Sequence, residues 1–414
     1  MKRMYTSIDI GSDTIKMIVA EIKNNELSVI ATSEVKSKGI RKGVIIDANE
    51  ALSSIKEVVN QIEGKIGIKV KKVIAAIPAY YAEFKKVTGV STITNEEKKV
   101  TGEDILRCLQ ASVYNKFPED KTLVTVLPIK FKLDNKNNIV DPKGLVGNKL
   151  EVEGMMITTP KKNVDSVISI LQSVGISVCD VNISPIADYY QFRQKDFDNS
   201  VIGIVNIGAD TTTLSVFKNN IIQNMKILRY GGNNIDEYIS QIFKIEKKES
   251  RKIKEKFVVA HKRYAQIDEV HETINLNKDL IKITQYDASR VVMNITEEII
   301  ENAKNELFLL TKDEIKYIII TGGSSELYRM SYLLEEKFDK LAVIANTETV
   351  GIRNNKYSVA SGLIKCFDER LELRNKDFQM FEKDDIEEMT EPKKRINISN
   401  NSPLKKAFGY LFDN

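Results

Sequence analysis

Apolar residues over the first thirty positions come in short runs and alternations, "YTSIDI", "IKMIVAEI" and "LSVIATS". That spacing predicts a strand meander over 5–33. The period then changes. Leu52, Ile55, Val58, Val59 and Ile62 fall on one helical face, with Gly64 as a stop. "KKVIAAIP" predicts a short buried strand closed by Pro78. Residues 84–160 break into short, Thr-rich segments around one helix near 102–113, as an inserted subdomain does. Val164, Val167, Ile168, Leu171 and Val174 then form another helical face, ended by Gly175. "ISVCDVNIS" is the next strand.

From Ser200 the opening pattern restarts. "SIDIGSDTIKMIV" at 7–19 and "IVNIGADTTTLSV" at 204–216 are each a strand, a Gly-based polar tip and a second strand. A turn that recurs with its flanking strands predicts a duplicated unit. Residues 233–313 are Lys-rich and mostly helical, with one strand-like break. "IKYIIITGG" reads as a buried strand, "SSELYRMSYLLEEKF" as a helix, and "YSVASGLIKCFDERLEL" as the last helix of the globular part. Residues 376–401 are polar and read as a linker before the amphipathic segment "SPLKKAFGYLFDN".

Composition narrows the function class. The 414 residues are 42% hydrophobic and 29% charged, enough for two or more packed units. Sixty-two basic against 58 acidic residues give a net charge of +4, too balanced to argue for a nucleic-acid partner. The three cysteines form no CxxC, which argues against a disulfide framework or zinc knuckle and fits a reducing cytoplasm. The two histidines supply neither a metal site nor a triad. "MKRMYTSIDIGS" runs into a strand with no apolar leader core, so no signal peptide is expected. No run of ~18 apolar residues is present to span a membrane.

The candidate chemistry lies in the two tips, Gly11-Ser12-Asp13-Thr14 and Gly208-Ala209-Asp210-Thr211-Thr212. Backbone N–H groups at such turns, with the hydroxyls of Ser12, Thr14, Thr211 and Thr212, cradle phosphate oxygens without a basic side chain. Two facing tips would clamp one polyphosphate. Asp9, at the strand end, would hold Mg²⁺ through water. "IIITGGSSEL" sets Gly322, Gly323 and Ser324 between a strand and a helix, where backbone can approach a flat or charged ligand. "RYGGNN" adds Gly231 and Gly232 to the same cleft.

These tips, the Gly-Gly turn and their order resemble the actin/Hsp70/sugar-kinase ATPase superfamily. Within it the chain resembles the bacterial cell-division FtsA family over essentially its full length. The inserted segment 84–160, "DPKGLVGNKLEVEG", "NISPIADYY" and the amphipathic tail carry the likeness. The resemblance implies an α/β actin-like fold of two duplicated ribonuclease-H-like lobes. The first lobe would be 1–83 with 161–198, interrupted by the FtsA-type insertion 84–160. The second would be 199–232 with 314–375, carrying the subdomain 233–313. Linker 376–401 and membrane helix 402–414 would follow.

It implies ATP with Mg²⁺ between the tips, with Lys254 of "ESRKIKEKF" and the Gly322–Gly323 turn at the adenosine. It also implies self-association into filaments, binding of an acidic FtsZ C-terminal peptide by 233–313, and contacts of 84–160 with other divisome proteins. Lys247, Lys248 and Arg251 are candidates for the acidic peptide. The expected place is the cytoplasmic face of the membrane at the septum.

Departures bear on hydrolysis. Asn206 stands where the family usually has Asp, Ala209-Asp210 where it has Gly-Gly, Thr213 where an acidic residue is common, and Arg251 where Glu would stand. Loss of the carboxylate at Asn206, and Asp210 facing a γ-phosphate, predict slow or absent turnover. A PilM-like pilus adaptor and a kinase of the superfamily are the rival readings. PilM-like chains are expected to lack this tail, and no residue presents itself as a kinase base.

In the tail, Leu404, Ala407, Phe408, Leu411 and Phe412 make one apolar face, with Lys405 and Lys406 off it. That helix is too short to span and is expected to lie in an anionic membrane interface rather than against the protein's own surface.

Overall fold

The computed structural model describes residues 3–390 apart from Glu348. The expected membrane helix 402–414 lies outside the described residues.

The first lobe opens with β1 (Arg3–Ile10), β2 (Thr14–Lys23) and β3 (Glu26–Lys36). A two-residue pair, β4 (Ile40–Arg41) and β5 (Val44–Ile45), precedes helix α1 (Ala48–Ile66). Asp47 caps α1 by accepting from the N–H groups of Asn49 at 2.9 Å and Glu50 at 3.0 Å. Strand β6 (Lys72–Ile77) follows. The insertion contains β7 (Glu83–Thr92), α2 (Gly102–Val113), β8 (Lys121–Leu133), β9 (Lys136–Ile139) and β10 (Lys149–Pro160). The helix expected near 102–113 is α2. Helix α3 (Lys161–Gln172), β11 (Ser177–Ile183) and α4 (Ser184–Phe192) close the lobe.

The second lobe repeats the opening with β12 (Val201–Ile207), β13 (Thr212–Lys218) and β14 (Ile221–Leu228). Helices α5 (Gly232–Phe243) and α6 (Lys247–Lys256), hairpin β15 (Val270–Ile274) and β16 (Leu280–Thr284), and helix α7 (Gln285–Leu309) come next. Then come β17 (Tyr317–Thr321), α8 (Met330–Phe338), β18 (Ala342–Ile344), α9 (Ser358–Leu373) and α10 (Lys383–Thr390).

The two central sheets have one topology, β11-β6-β1-β2-β3 and β18-β17-β12-β13-β14. In each, three antiparallel meander strands continue into two parallel strands. Asp9 pairs with Lys16 in one sheet and Asn206 with Thr213 in the other. The sheets thus bring both tips to equivalent places. The inserted sheet, β7-β10-β8-β9, has its own small core around Ile105, Phe131, Leu150 and Val152.

The chain crosses between lobes after α4 and returns before α9. The α9 side chains Val359, Leu363, Ile364 and Phe367 are buried in the first lobe's core. α4 and α9 pack so closely that a Cβ at Gly362 would sit 1.8 Å from the Ala187 carbonyl oxygen.

Of the linker expected at 376–401, residues 376–390 are packed on the first lobe rather than extended from it, and 391–401 lie outside the described residues. Met380, Phe381 and Ile386 are buried in the first-lobe core. Phe378 meets Phe367 edge-on at 5.6 Å, and Lys72 lies over its ring. With Met389, five apolar anchors hold this stretch against the lobe, through α10.

Candidate functional site

The tips at 11–14 and 208–211 face each other across a cavity of about 740 Å³. Of the residues expected there, Asp9, Gly11, Ser12, Asp13, Thr14, Gly208, Ala209, Thr211, Gly232, Lys254, Gly322, Gly323 and Ser324 line it.

At the first tip, Gly43 N–H donates to the Ser12 hydroxyl oxygen at 2.7 Å, which leaves the Ser12 O–H available to the cavity. The Ser37 hydroxyl donates to the Gly11 carbonyl at 2.6 Å, fixing the turn. At the second tip, the start of α5 is tied to the turn. Gly232 N–H donates to the Gly208 carbonyl at 2.9 Å and Asn233 N–H to the Ala209 carbonyl at 2.8 Å.

Three expected residues do not line the cavity. Thr212 is fully buried and its hydroxyl donates to the Tyr230 carbonyl at 2.9 Å. Thr211 and Thr213 on either side of it face the cavity. Gly231 serves close approach instead, since a Cβ there would meet the Gly208 and Ala209 carbonyl oxygens at 2.5 and 2.8 Å. Asp210 turns away from the cavity. It accepts from Asn233 Nδ2 at 2.6 Å and from the Lys42 N–H, in the other lobe, at 3.1 Å. Its carboxylate is thus engaged by two donors rather than presented openly to a terminal phosphate.

The Gly-Gly turn also divides its labour. Gly322 has φ of 92°, and a Cβ on it would lie 2.5 Å from both Asn206 Oδ1 and the Ile207 carbonyl oxygen. Gly323 has open space around it.

The cleft is more cationic than the tips alone suggested. Lys16 Nζ lies 3.7 Å from Asp9 Oδ2. Burial raises the Asp9 carboxyl above its ordinary pKa, with Lys16 pulling the other way. Arg251, on α6, reaches across the lobes to Asp13 at 2.8 Å and also lies 3.5 Å from Asp236. Lys36 pairs with the same Asp13. Burial pushes the Asp13 carboxyl up, but hydrogen bonds from Lys36 and Arg251 outweigh it and hold its pKa low. Lys254 is buried between the Gly232 carbonyl at 2.9 Å and Asp236 at 2.7 Å. Burial lowers its pKa, with Asp236 opposing. Lys356 and Glu34 form another ion pair at the rim.

Behind the floor lies a carboxyl that sequence reasoning missed. Asp188 of α4 is 1% exposed. It accepts from Asn206 Nδ2 and from the Ser358 hydroxyl, each at 2.6 Å. Burial pushes its pKa up to about 7, with the two hydrogen bonds lowering it and the charge of Asp9 raising it. Nothing local in "NISPIADYY" distinguishes Asp188 from a solvent-facing Asp, because its partners come from β12 and α9.

A family model described as "SHS2 domain inserted in FTSA" matches residues 79–158. Another, described as "Cell division protein FtsA", matches residues 203–362. The Cell division protein FtsA of Bacillus subtilis (strain 168) is 28% identical over 381 residues, covering 91% of this chain and 87% of that protein. That of Streptococcus pneumoniae serotype 2 is 27% identical over 355 residues, covering 86% and 78%. The chain belongs to the FtsA family.

FtsA membership makes this an actin-like cell-division protein. Solved structures agree on the fold. A chain of the PilM-PilN type IV pilus biogenesis complex matches with a TM-score of 0.57 at 17% identity, covering 87% of this chain and 97% of that one. MreB5 of Spiroplasma citri bound to ADP matches with a TM-score of 0.51 at 13% identity, covering 90% and 99%. At such identities the likeness is one of fold, and the PilM match does not favour a pilus role over the FtsA one. The FtsA insertion model coincides with the separate sheet of β7–β10. No helix among the described residues is long and apolar enough to cross a membrane.

Proposed function

We propose that the cleft binds ATP with Mg²⁺ and that the chain is a membrane-bound, self-associating tether for the FtsZ ring. The observation that carries the nucleotide reading is the pair of matched tips facing one cavity. The cavity-lining hydroxyls of Ser12, Thr14 and Thr211 supply donors to phosphate oxygens, and Lys16 supplies a cation. The Gly322–Gly323 turn and Lys254 stand on the adenosine side. The MreB5 relative in fold was solved with ADP.

Among the described residues, no three His, Cys, Asp or Glu side chains converge to hold a metal on their own. That suits Mg²⁺, which keeps its waters, so that Asp9 would hold it through water while phosphate oxygens bind it directly. The ion would neutralise phosphate charge. The chain's own residues orient the phosphates and exclude water from the floor.

Turnover is slow or absent in this reading, because Asn206 offers an amide where a carboxylate would polarise water. Subdomain 233–313 would take the acidic FtsZ peptide. The insertion 84–160 would meet other divisome proteins. The tail face of Leu404, Ala407, Phe408, Leu411 and Phe412 would lie in the cytoplasmic leaflet, helped by Lys405 and Lys406 at roughly 1 kcal/mol each near anionic lipid. One such tail binds weakly, so self-association would secure it by avidity. The test is equilibrium binding of labelled ATP to the full chain, with Ser12→Tyr and Thr211→Tyr as blocked cleft variants.

A further inference from the structure

The duplicated sheets put Asp9 and Asn206 at equivalent strand ends, and both line the cavity. Their surroundings differ. Asp9 faces the Lys16 ammonium. Asn206 faces a second carboxyl, Asp188, which is buried and has two neutral donors, Asn206 Nδ2 and the Ser358 hydroxyl. With its nitrogen committed to Asp188, the Asn206 amide has its oxygen placed over Gly322, at the cleft floor.

We propose that Asp188 is a positioning residue that holds Asn206 with its nitrogen inward and its oxygen toward the cleft. The second lobe thereby presents a neutral acceptor where the first presents a carboxylate. This rests on the nucleotide reading above and deepens it, because it names what sets the polarity of the metal and phosphate end.

The pair has a directional consequence. Asn206→Asp alone sets two carboxylates at hydrogen-bond distance, and they must share one proton. Asp188→Asn alone leaves Asn206 free to turn either end to the cleft. The two changes together exchange donor and acceptor. The new amide donates to the new carboxylate, Ser358 still has an oxygen to donate to, and the net charge is unchanged. The cleft then holds a second carboxylate beside Asp9.

The experiment measures four full-length proteins: wild type, each single variant and the double variant. Melting temperature and affinity for fluorescently labelled ATP are read with Mg²⁺ and with EDTA. Asn206→Asp is expected to melt at least ~4 °C lower than wild type, with the double variant recovering most of that loss. The double variant should depend on Mg²⁺ for ATP affinity about tenfold more than wild type, since carboxylate and phosphate repel without the ion. A double variant that melts no higher than Asn206→Asp overturns the pairing. Recovery of melting with an unchanged Mg²⁺ dependence overturns the positioning role and leaves a structural contact. Failure of all four proteins, wild type included, to bind labelled ATP overturns the nucleotide reading and this inference with it, on a separate measurement.

Discussion

Gly322 and Gly323 are adjacent and identical, yet substitution should separate fold from ligand binding. Gly322 sits at φ of 92°, with a virtual Cβ 2.5 Å from the Ile207 carbonyl oxygen and from Asn206 Oδ1. With ψ of 166° this is extended backbone at positive φ, which only glycine adopts readily, and it costs an L-residue about 1–3 kcal/mol. Relieving the contact with the β12 backbone adds about 1–3 kcal/mol, as overpacking does. Gly322→Ala should therefore destabilise the second lobe by about 3 kcal/mol. With a urea slope near 3 kcal/mol per molar, its midpoint falls by about 1 M. Gly323 has no neighbour within 4 Å of a virtual Cβ, so Gly323→Ala should stay within about 0.5 kcal/mol of wild type. Gly323→Asp should also fold, but it sets an unpaired carboxylate beside the bound purine. A penalty of about 2 kcal/mol there weakens labelled-ATP binding ~30-fold. Equal urea midpoints for the two Ala variants would refute the assignment of strain. Undiminished ATP affinity in Gly323→Asp would refute the placement of the ligand.

Two further outcomes concern the site and one the tail. Thr212→Val should cost about 1 kcal/mol of stability, by losing the bond to Tyr230, while labelled-ATP affinity is kept; Thr211→Val should do the reverse, and the two assays together check it. The folded pKa of Asp188 lies near 7, above its ordinary 3.8, so the native state holds an extra proton between these values. Its contribution to stability is present at low pH and is lost as pH rises through about 7. Urea midpoints of wild type should thus fall relative to Asp188→Asn between pH 4 and 7, and a constant difference would contradict the shift. Deletion after Asn401, or Phe408→Glu, should leave a folded protein in the supernatant when sedimented with anionic vesicles; undiminished vesicle binding by the truncated chain would remove the anchor.

Much of the cleft was legible because it rests on local turn chemistry. A Gly at a strand end followed by Ser, Asp and Thr announces a polar tip wherever it occurs, and its recurrence announces the duplication. Thr212 was misplaced although the signal was available. It opens β13, where successive side chains alternate faces, so Thr211 and Thr213 cannot share a side with it. Gly231 was read as ligand contact, but the α5 start needs it against the Gly208 carbonyl. Asp188, and the Arg251–Asp13 link across the lobes, have partners remote in sequence. Only the packed lobes bring them together. The stretch from 376 looked like linker because charged residues dominate it. Five apolar side chains, Phe378, Met380, Phe381, Ile386 and Met389, dock it as far as α10.

The central claim is that one nucleotide sits between the two tips. Its most direct test is equilibrium titration of fluorescently labelled ATP, with Mg²⁺, into the full chain and into Ser12→Tyr and Thr211→Tyr, one blocked tip in each lobe. The account predicts saturation at one site per chain, displacement by unlabelled ATP, and at least ~tenfold weaker binding in each variant. Absence of saturable binding, or affinity indifferent to both substitutions, would contradict it.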